Sequence, residues 1–98
     1  MKKVYVVCKG RKLGAFDLWA DCDEQVECYR GAIYKSFMSL RDTYRYIREY
    51  MPAGERYVIR MNGRNTYCSD YSMFIRNFEE LIRSESEREK GTTYSLSK

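Results

Sequence analysis

Apolar and polar positions along the first half of the chain predict three strands and two helices. Runs rich in β-branched and aromatic residues at 3–9, 15–18 and 32–37 predict the strands. Between the second and third strands, apolar residues recur at helical spacing, with Asp17 expected as the N-cap. Ser39 is expected to cap a second helix that ends at Pro52. The inward faces of the two helices are predicted to be Trp19, Cys22, Val26 and Tyr29, then Leu40, Tyr44, Ile47 and Met51.

The second half of the chain predicts a hairpin followed by a helix. Strands are expected at 55–62 and 66–69, joined by a turn, and a helix at 70–86 turns Phe74, Phe78 and Leu81 inward. This order repeats the strand–turn–strand–helix order of residues 3–29, which indicates either a degenerate duplication or a motif that is simply common. The expected organisation is a domain at 1–51, an extension at 52–86 and a polar tail at 87–98, disordered or frayed.

These elements predict an α+β fold. A small three-stranded antiparallel sheet packs with two helices, and the carboxy-terminal strand–turn–strand–helix is an extension to it. No stretch approaches the roughly 20 apolar residues of a membrane helix, and the apolar run near the start is too short for a secretory signal. We therefore expect a cytoplasmic protein with reduced thiols.

The residue types present argue against catalysis and against metal or cofactor binding. The chain has no histidine, its four cysteines form no CxxC pair, and no Gly-rich phosphate loop occurs. The acidic run at 21–24 lies in the early turns of a helix, where carboxylates complement the helix dipole. We expect a non-enzyme with no metal site and no cofactor.

Charge and aromatic residues instead indicate binding. The net charge is +4, and no acidic residue precedes Asp17, so the start of the chain is either a solvated basic face or a phosphate-binding one. Taken singly, the candidates have ordinary explanations: core packing for Trp19, an edge strand for Tyr34 and a solvated side chain for Lys35. Together, in a three-stranded sheet, they are predicted to converge with the loop cations Lys9, Arg11 and Lys12.

The stretch YVVCKGRKLGAFDLWADCDEQVECYRGAIYKSF resembles the viroplasmin-type domain found at the amino terminus of many ribonucleases H, an RNA/DNA hybrid-binding domain. The resemblance spans about residues 3–50 without a gap. It rests on a Tyr-x-Val strand, a Gly-Arg-Lys loop, Trp-x-x-Cys, Gln-Val, a Gly-Ala pair and an aromatic-Lys dipeptide. The catalytic domain of that family is absent from residues 53–98, which are too few to hold it.

The resemblance implies a site residue by residue. Trp19 and Tyr34 would line a channel for the DNA strand, and the backbone at 31–33 would contact ribose hydroxyls, where small residues allow close approach. Ser36 and Cys8 stand where some members carry basic residues, which would weaken binding. The resemblance assigns phosphate contacts to the first-strand tyrosine, to the three loop cations and to the third-strand lysine: Tyr5, Lys9, Arg11, Lys12 and Lys35. The remaining expected site residues are Gly31, Ala32, Ile33 and Ser36.

The resulting hypothesis is a non-catalytic module that recognises RNA/DNA hybrid or double-stranded RNA by backbone shape and 2′-hydroxyls. The alternative is a protein-interaction or self-association module, a viroplasmin-like scaffold or adaptor. In that case the carboxy-terminal half would pair two copies or deliver the module to a separate enzyme.

Overall fold

The computed structural model describes residues 3–54 and 56–97, and the side chains of residues 3–54 and 56–85. The described residues form five strands and three helices, and the order of these elements along the chain matches the sequence prediction. The strands are β1 (Val4–Lys9), β2 (Leu13–Phe16), β3 (Ile33–Phe37), β4 (Tyr57–Met61) and β5 (Arg64–Cys68). The helices are α1 (Trp19–Val26), α2 (Leu40–Tyr50) and α3 (Tyr71–Ser97). The expected α+β fold is confirmed.

The sheet is larger than predicted, and this corrects the expectation of a three-stranded sheet with a separate extension. All five strands form one mixed sheet in the order β3-β1-β2-β4-β5. The three predicted antiparallel strands are present within it, but β2 also pairs in parallel with β4, with Ala15 opposite Ile59. The carboxy-terminal hairpin therefore continues the sheet, and β3 and β5 are its two edges.

Gly14 allows this parallel pairing. A Cβ atom at Gly14 would lie 1.8 Å from the carbonyl oxygen of Val58, which is far inside van der Waals contact. The backbone φ of Gly14 is also +153°, a value that side chains disfavour. β4 can approach β2 because position 14 has no side chain.

Helices cover both faces of the sheet. One face carries α1 over a small cluster that includes Val7, Phe16 and Val58. The other face carries α2 and α3 over the larger cluster, in which Ile47 of α2 and Phe74 of α3 are fully buried. Both clusters join side chains from before and after residue 52, so the two segments share a core. The helices that follow the two hairpins lie on opposite faces, whereas a simple translational repeat would place them on the same face.

Of the two predicted helix caps, Ser39 is confirmed and Asp17 is wrong. Ser39 caps α2 as expected, because its hydroxyl accepts from the N–H groups of Arg41 and Asp42. Asp17 does not cap α1, whose N-cap is Leu18 with no side-chain bond. The Asp17 carboxylate instead accepts from the N–H of Asn62 at 2.8 Å and so ties the β4–β5 turn to the end of β2.

The third helix continues past the position where the sequence predicts a polar tail. Its backbone is helical to Ser97, through a segment rich in Glu, Arg and Lys, which are strong helix formers. Asp70 stabilises its first turn by accepting from the N–H of Met73 at 2.8 Å. Within the described residues, no helix is long and apolar enough to cross a membrane.

Candidate functional site

Three aromatic side chains from different elements meet on the α1 face of the sheet, next to the β3 edge. The ring centroid of Trp19 lies 5.6 Å from that of Tyr5 on β1 and 5.7 Å from that of Tyr34 on β3. Trp19 is 44% exposed and Tyr34 is 45% exposed, so large parts of both rings face solvent. We refer to Tyr5, Trp19 and Tyr34 as the aromatic cluster.

The position of α1 explains why these rings are not core. Cys22 and Val26 pack onto the sheet as predicted, but α1 is only eight residues long and begins at Trp19. The predicted inward face of α1 therefore holds for Cys22 and Val26 but not for its two outer members. The Trp19 ring lies against Tyr5 of β1 and Tyr34 of β3, and Tyr29 lies beyond the end of α1. The core explanation of Trp19 is incomplete, since its half-exposed ring contacts the partly buried Tyr5 and the exposed Tyr34.

The basic β1–β2 loop is fixed against the end of α1. The N–H of Arg11 donates to the carbonyl of Gln25 at 2.9 Å, and its guanidinium donates to the carbonyl of Glu24 at 3.2 Å. The guanidinium also lies 5.9 Å from the ring centroid of Tyr29, a cation–π contact. The Gln25 side chain is buried and bonds the Asp21 carbonyl. Arg11 thus contacts the end of α1 through its backbone and its guanidinium, although its side chain is exposed, as is that of Lys12.

Lys9 lies over the glycine that precedes β3. A Cβ atom at Gly31 would stand 3.1 Å from the Lys9 Nζ, and the φ of Gly31 is +74°. The N–H of Ala32 already donates to the carbonyl of Tyr29, and Ile33 is exposed opposite Lys9 in the sheet. The Lys9 ammonium therefore lies beside the backbone at 31–33, next to the exposed Gly31 and Ile33.

The strand β3 divides the remaining candidates between two faces. Ser36 is paired with Tyr5 across β1 and lies on the face of the aromatic cluster. Lys35 lies on the other face, where its Nζ is 5.7 Å from the ring centroids of both Phe37 and Tyr46. The aromatic cluster and Lys35 thus flank the same sheet edge from opposite sides.

The sequence analysis did not identify the rings beneath Lys35. Tyr46 packs 5.1 Å from Phe37 and 4.8 Å from Tyr50, centroid to centroid, and is partly buried on the side of α2 that faces β3. The predicted inward face of Leu40, Tyr44, Ile47 and Met51 does pack on the core. The i, i+4 spacing of Tyr46 and Tyr50 is the sequence signal for this second row of rings, which the predicted inward face leaves out.

Charged and thiol groups elsewhere on α1 have structural roles. Asp21 and Glu24 lie 3.7 and 3.8 Å from the Arg60 guanidinium on β4. Burial raises the pKa of the Cys22 thiol to about 11, so the thiol stays protonated at neutral pH and is a poor nucleophile. Among the described side chains, no group of three cysteines or carboxylates is placed to hold a metal ion.

Comparison with known proteins finds relatives for the first half of the chain. Residues 3–47 match the sequence model of the Ribonuclease H1 N-terminal domain. A Ribonuclease H from Crithidia fasciculata is 44% identical over 43 residues, which are 44% of this chain and 9% of that protein. A Ribonuclease H from Saccharomyces cerevisiae is 51% identical over 35 residues, which are 36% of this chain and 10% of that protein. The chain thus matches about a tenth of each relative, and no solved structure matches it significantly.

Proposed function

We propose that the chain binds nucleic-acid duplexes through its β3 edge, because residues 3–47 match the sequence model of the Ribonuclease H1 N-terminal domain. The family suggests nucleic-acid binding in general. The proposal for this chain is narrower: a non-catalytic module for RNA/DNA hybrid or double-stranded RNA. The observation that carries it is the aromatic cluster, whose exposed rings lie beside a surface rich in cations.

Aromatic rings and cations act on different parts of a duplex strand. Ring faces at Trp19 and Tyr34 pack on sugars or bases without selecting a sequence, and tolerance of any sequence is typical of such stacking. The exposed side chains of Lys9 and Lys12 neutralise phosphates. Arg11 is already bonded to the end of α1, so it contributes charge from a fixed position.

The duplex type is selected by the other strand. The surface backbone at 31–33 can approach a wide, shallow minor groove, because Gly31 and Ala32 carry almost no side chain. A-form and hybrid duplexes have that groove and display 2′-hydroxyls in it, whereas B-form DNA has a narrower one without them. We therefore infer a preference for duplexes with at least one ribose strand.

Because Tyr34 and Lys35 lie on opposite faces of β3, a DNA strand that contacts both must follow a particular path. Tyr34 and Trp19 contact it on the α1 face, and the Lys35 ammonium reaches a phosphate from the α2 face. Phe37 and Tyr46 hold the lysine stem through cation–π contacts, which reduces the entropy that Lys35 loses on binding. The strand therefore passes over the sheet edge instead of lying on one face.

Competition between matched duplexes tests this function. Labelled RNA/DNA hybrid of about 12 base pairs is bound to the protein and displaced with unlabelled RNA/RNA, RNA/DNA or DNA/DNA of the same sequence, at two salt concentrations. The proposal expects the two ribose-containing duplexes to compete at least tenfold better than DNA, and the preference to be lost in Trp19→Ala/Tyr34→Ala. Equal competition by all three duplexes would contradict it.

A second candidate function is self-association through the other sheet edge. Among the described strands β5 pairs with β4 alone, which leaves its outer side for another strand, and Tyr67 on β5 is 64% exposed. Strand addition by a second copy would give a homodimer through the carboxy-terminal half.

Two charge substitutions separate the two functions. Lys35→Glu is expected to abolish duplex binding at the β3 edge, and with it the preference for ribose-containing duplexes, and to leave the sedimentation behaviour of the free protein unchanged. Tyr67→Glu would bring like charges together at a β5–β5 contact, so it abolishes any dimer and leaves duplex binding intact. A monomeric wild-type protein at all concentrations tested would rule out the self-association candidate.

A further inference from the structure

Three exposed arginines form a straight line along α2. Arg41, Arg45 and Arg48 recur at i, i+4 and i+7, so they share one helix face and span about 10 Å along the helix axis. We refer to these three residues as the arginine stripe. The core-facing side of α2 is formed by Thr43 and Ile47, which are fully buried, so the stripe faces away from the sheet.

The stripe borders a shallow groove between α2 and α3. The groove has a volume of about 480 Å³ and includes all three arginines on its α2 side. At its floor, the Arg48 guanidinium donates to the Tyr44 hydroxyl at 2.9 Å, and that hydroxyl donates to the Glu79 carboxylate. Glu79 is thus engaged by a neutral group, and Arg48 keeps its positive charge without a direct carboxylate partner among the described side chains.

The carboxylates near the stripe, Asp42, Glu49 and Glu79, offset part of its charge but form no direct ion pair with it among the described side chains. Asp42 lies in the first turn of α2, where it complements the helix dipole. Glu49 is one turn from Arg45, but no ion pair within 4 Å joins Arg41 or Arg45 to a carboxylate among the described side chains. Arg76 of α3 adds a fourth guanidinium to the adjoining surface beside Arg48.

We propose that the arginine stripe is a second phosphate-backbone site, so that one copy of this chain can hold two nucleic-acid duplexes. The inference rests on the proposed function for the identity of the partner. A line of about 10 Å matches roughly three successive phosphates of one strand at an axial spacing of about 3.4 Å. Arginine suits such contacts because its planar guanidinium binds phosphate oxygens in pairs.

One duplex cannot occupy both surfaces. The aromatic cluster lies on the α1 face, whereas the stripe lies on the outer side of α2, on the opposite face. The sheet and a helix about 10 Å in diameter therefore separate them. The Tyr44 ring in the groove is half-buried and lies 5.7 Å from the Arg48 guanidinium carbon, which covers part of it. We therefore expect the stripe to bind phosphates of any duplex without a preference for ribose.

Stoichiometry in duplex excess tests this proposal. Two differently labelled 12-base-pair RNA/DNA duplexes are mixed with a limiting amount of protein, and analytical ultracentrifugation at low salt gives the mass of each complex. The wild-type protein is expected to form a complex of one chain with two duplexes. Arg41→Gln/Arg45→Gln/Arg48→Gln is expected to bind a single duplex with its affinity within about threefold of wild type. The matched control Arg56→Gln/Arg64→Gln/Arg83→Gln removes the same charge elsewhere and should keep two.

The outcomes separate this inference from the proposed function. A second duplex lost equally in the stripe variant and the control would overturn the stripe as a site and indicate general charge attraction. A wild-type complex with only one duplex would also overturn it, leave the proposed function standing, and make an acidic protein the better partner for the stripe. Trp19→Ala/Tyr34→Ala should still bind one duplex through the stripe, without the ribose preference. No duplex binding by the wild-type protein would contradict both.

Discussion

Tyr34 and Lys35 are adjacent in the sequence but lie on opposite faces of the sheet. The Tyr34 ring centroid is 5.7 Å from that of Trp19 on the α1 face, and the Lys35 Nζ is 5.7 Å from that of Tyr46 on the α2 face. The edge strand β3 thus presents a ring surface on one side and a cation on the other. A bound strand that contacts both must cross the edge, which separates the roles of stacking and of charge.

Removing a ring from the aromatic cluster should weaken duplex binding without unfolding the protein. Trp19→Ala and Tyr34→Ala each remove a half-exposed ring, and one stacking contact is worth about 1–3 kcal/mol, or roughly 5- to 150-fold in affinity. Fluorescence anisotropy of a labelled RNA/DNA duplex measures this loss.

Tyr67→Ala is the matched control for these ring deletions. It removes a more exposed tyrosine from β5, at the far edge of the sheet, and should leave the affinity for duplex unchanged. An equal loss in all three variants would mean that the rings act through general stability.

Replacing Lys35 should change the salt dependence of duplex binding more than it changes the preference for a base sequence or a duplex type. Lys35→Gln removes one phosphate contact, so the slope of log K against log salt should become shallower by about 0.9. Arg64→Gln removes an exposed charge at the β5 edge and should leave the slope unchanged. Equal slopes for wild type and Lys35→Gln would remove Lys35 from the interface.

Two glycine substitutions should differ in their cost to stability. Gly14→Ala puts a Cβ atom against the carbonyl of Val58, so the β2–β4 pairing must shift, at about 3 kcal/mol or more. Gly63→Ala has a φ of +74° but no atom within 4 Å, so only the backbone strain of about 1–2 kcal/mol applies. Urea denaturation followed by Trp19 fluorescence gives both values, and similar costs would contradict the close approach of β4 to β2.

The buried thiols should make the fold less stable in alkali. Burial raises the pKa of Cys22 to about 11 and also raises the pKa of Cys8 and Cys68 above the ordinary value. Below about pH 8.5 these thiols are protonated in both states, so their contribution to stability is complete. Above that pH the unfolded chain loses protons that the folded chain retains, and the free energy of unfolding falls toward pH 11.

Denaturation of the wild type and Cys22→Ala between pH 7 and 10.5 checks this dependence. The variant is less stable at every pH, but its decline with pH should be shallower because one of the three thiols is gone. In native protein, the exposed Cys28 should be alkylated well before the other three, as peptide mass analysis would show. Parallel pH profiles for the two proteins would contradict the protonation argument.

Local chemistry predicted the elements well, because short-range signals determine them. The β-branched run at Val4–Lys9 gave β1, and the Ser39 hydroxyl gave the start of α2. The β4–β5 turn is formed by Asn62 and Gly63, both with positive φ, whereas the sequence predicted it at 63–65 with Asn62 in the strand.

The long-range features could not be predicted in the same way. Nothing local to β4 shows that it pairs with β2, since that pairing depends on a missing side chain at Gly14, far away in sequence. Asp17 is predicted as a helix cap because it directly precedes a helical pattern. Its actual hydrogen-bond partner, the N–H of Asn62, lies 45 residues away, and no local signal points to it. In the candidate site, the spacing gave Trp19 and Tyr34, but the rings that hold Lys35 depend on how α2 rotates over β3.

The central claim is that duplexes bind at the aromatic cluster, and Trp19 reports on it directly because it is the only tryptophan in the chain. The decisive measurement is a titration of intrinsic fluorescence with unlabelled RNA/DNA hybrid, run alongside anisotropy of the same labelled duplex. The account predicts that Trp19 emission changes and saturates at the same affinity as the anisotropy signal, and that Tyr34→Ala weakens both together. Saturable anisotropy with unchanged Trp19 emission would place the duplex elsewhere and contradict the account.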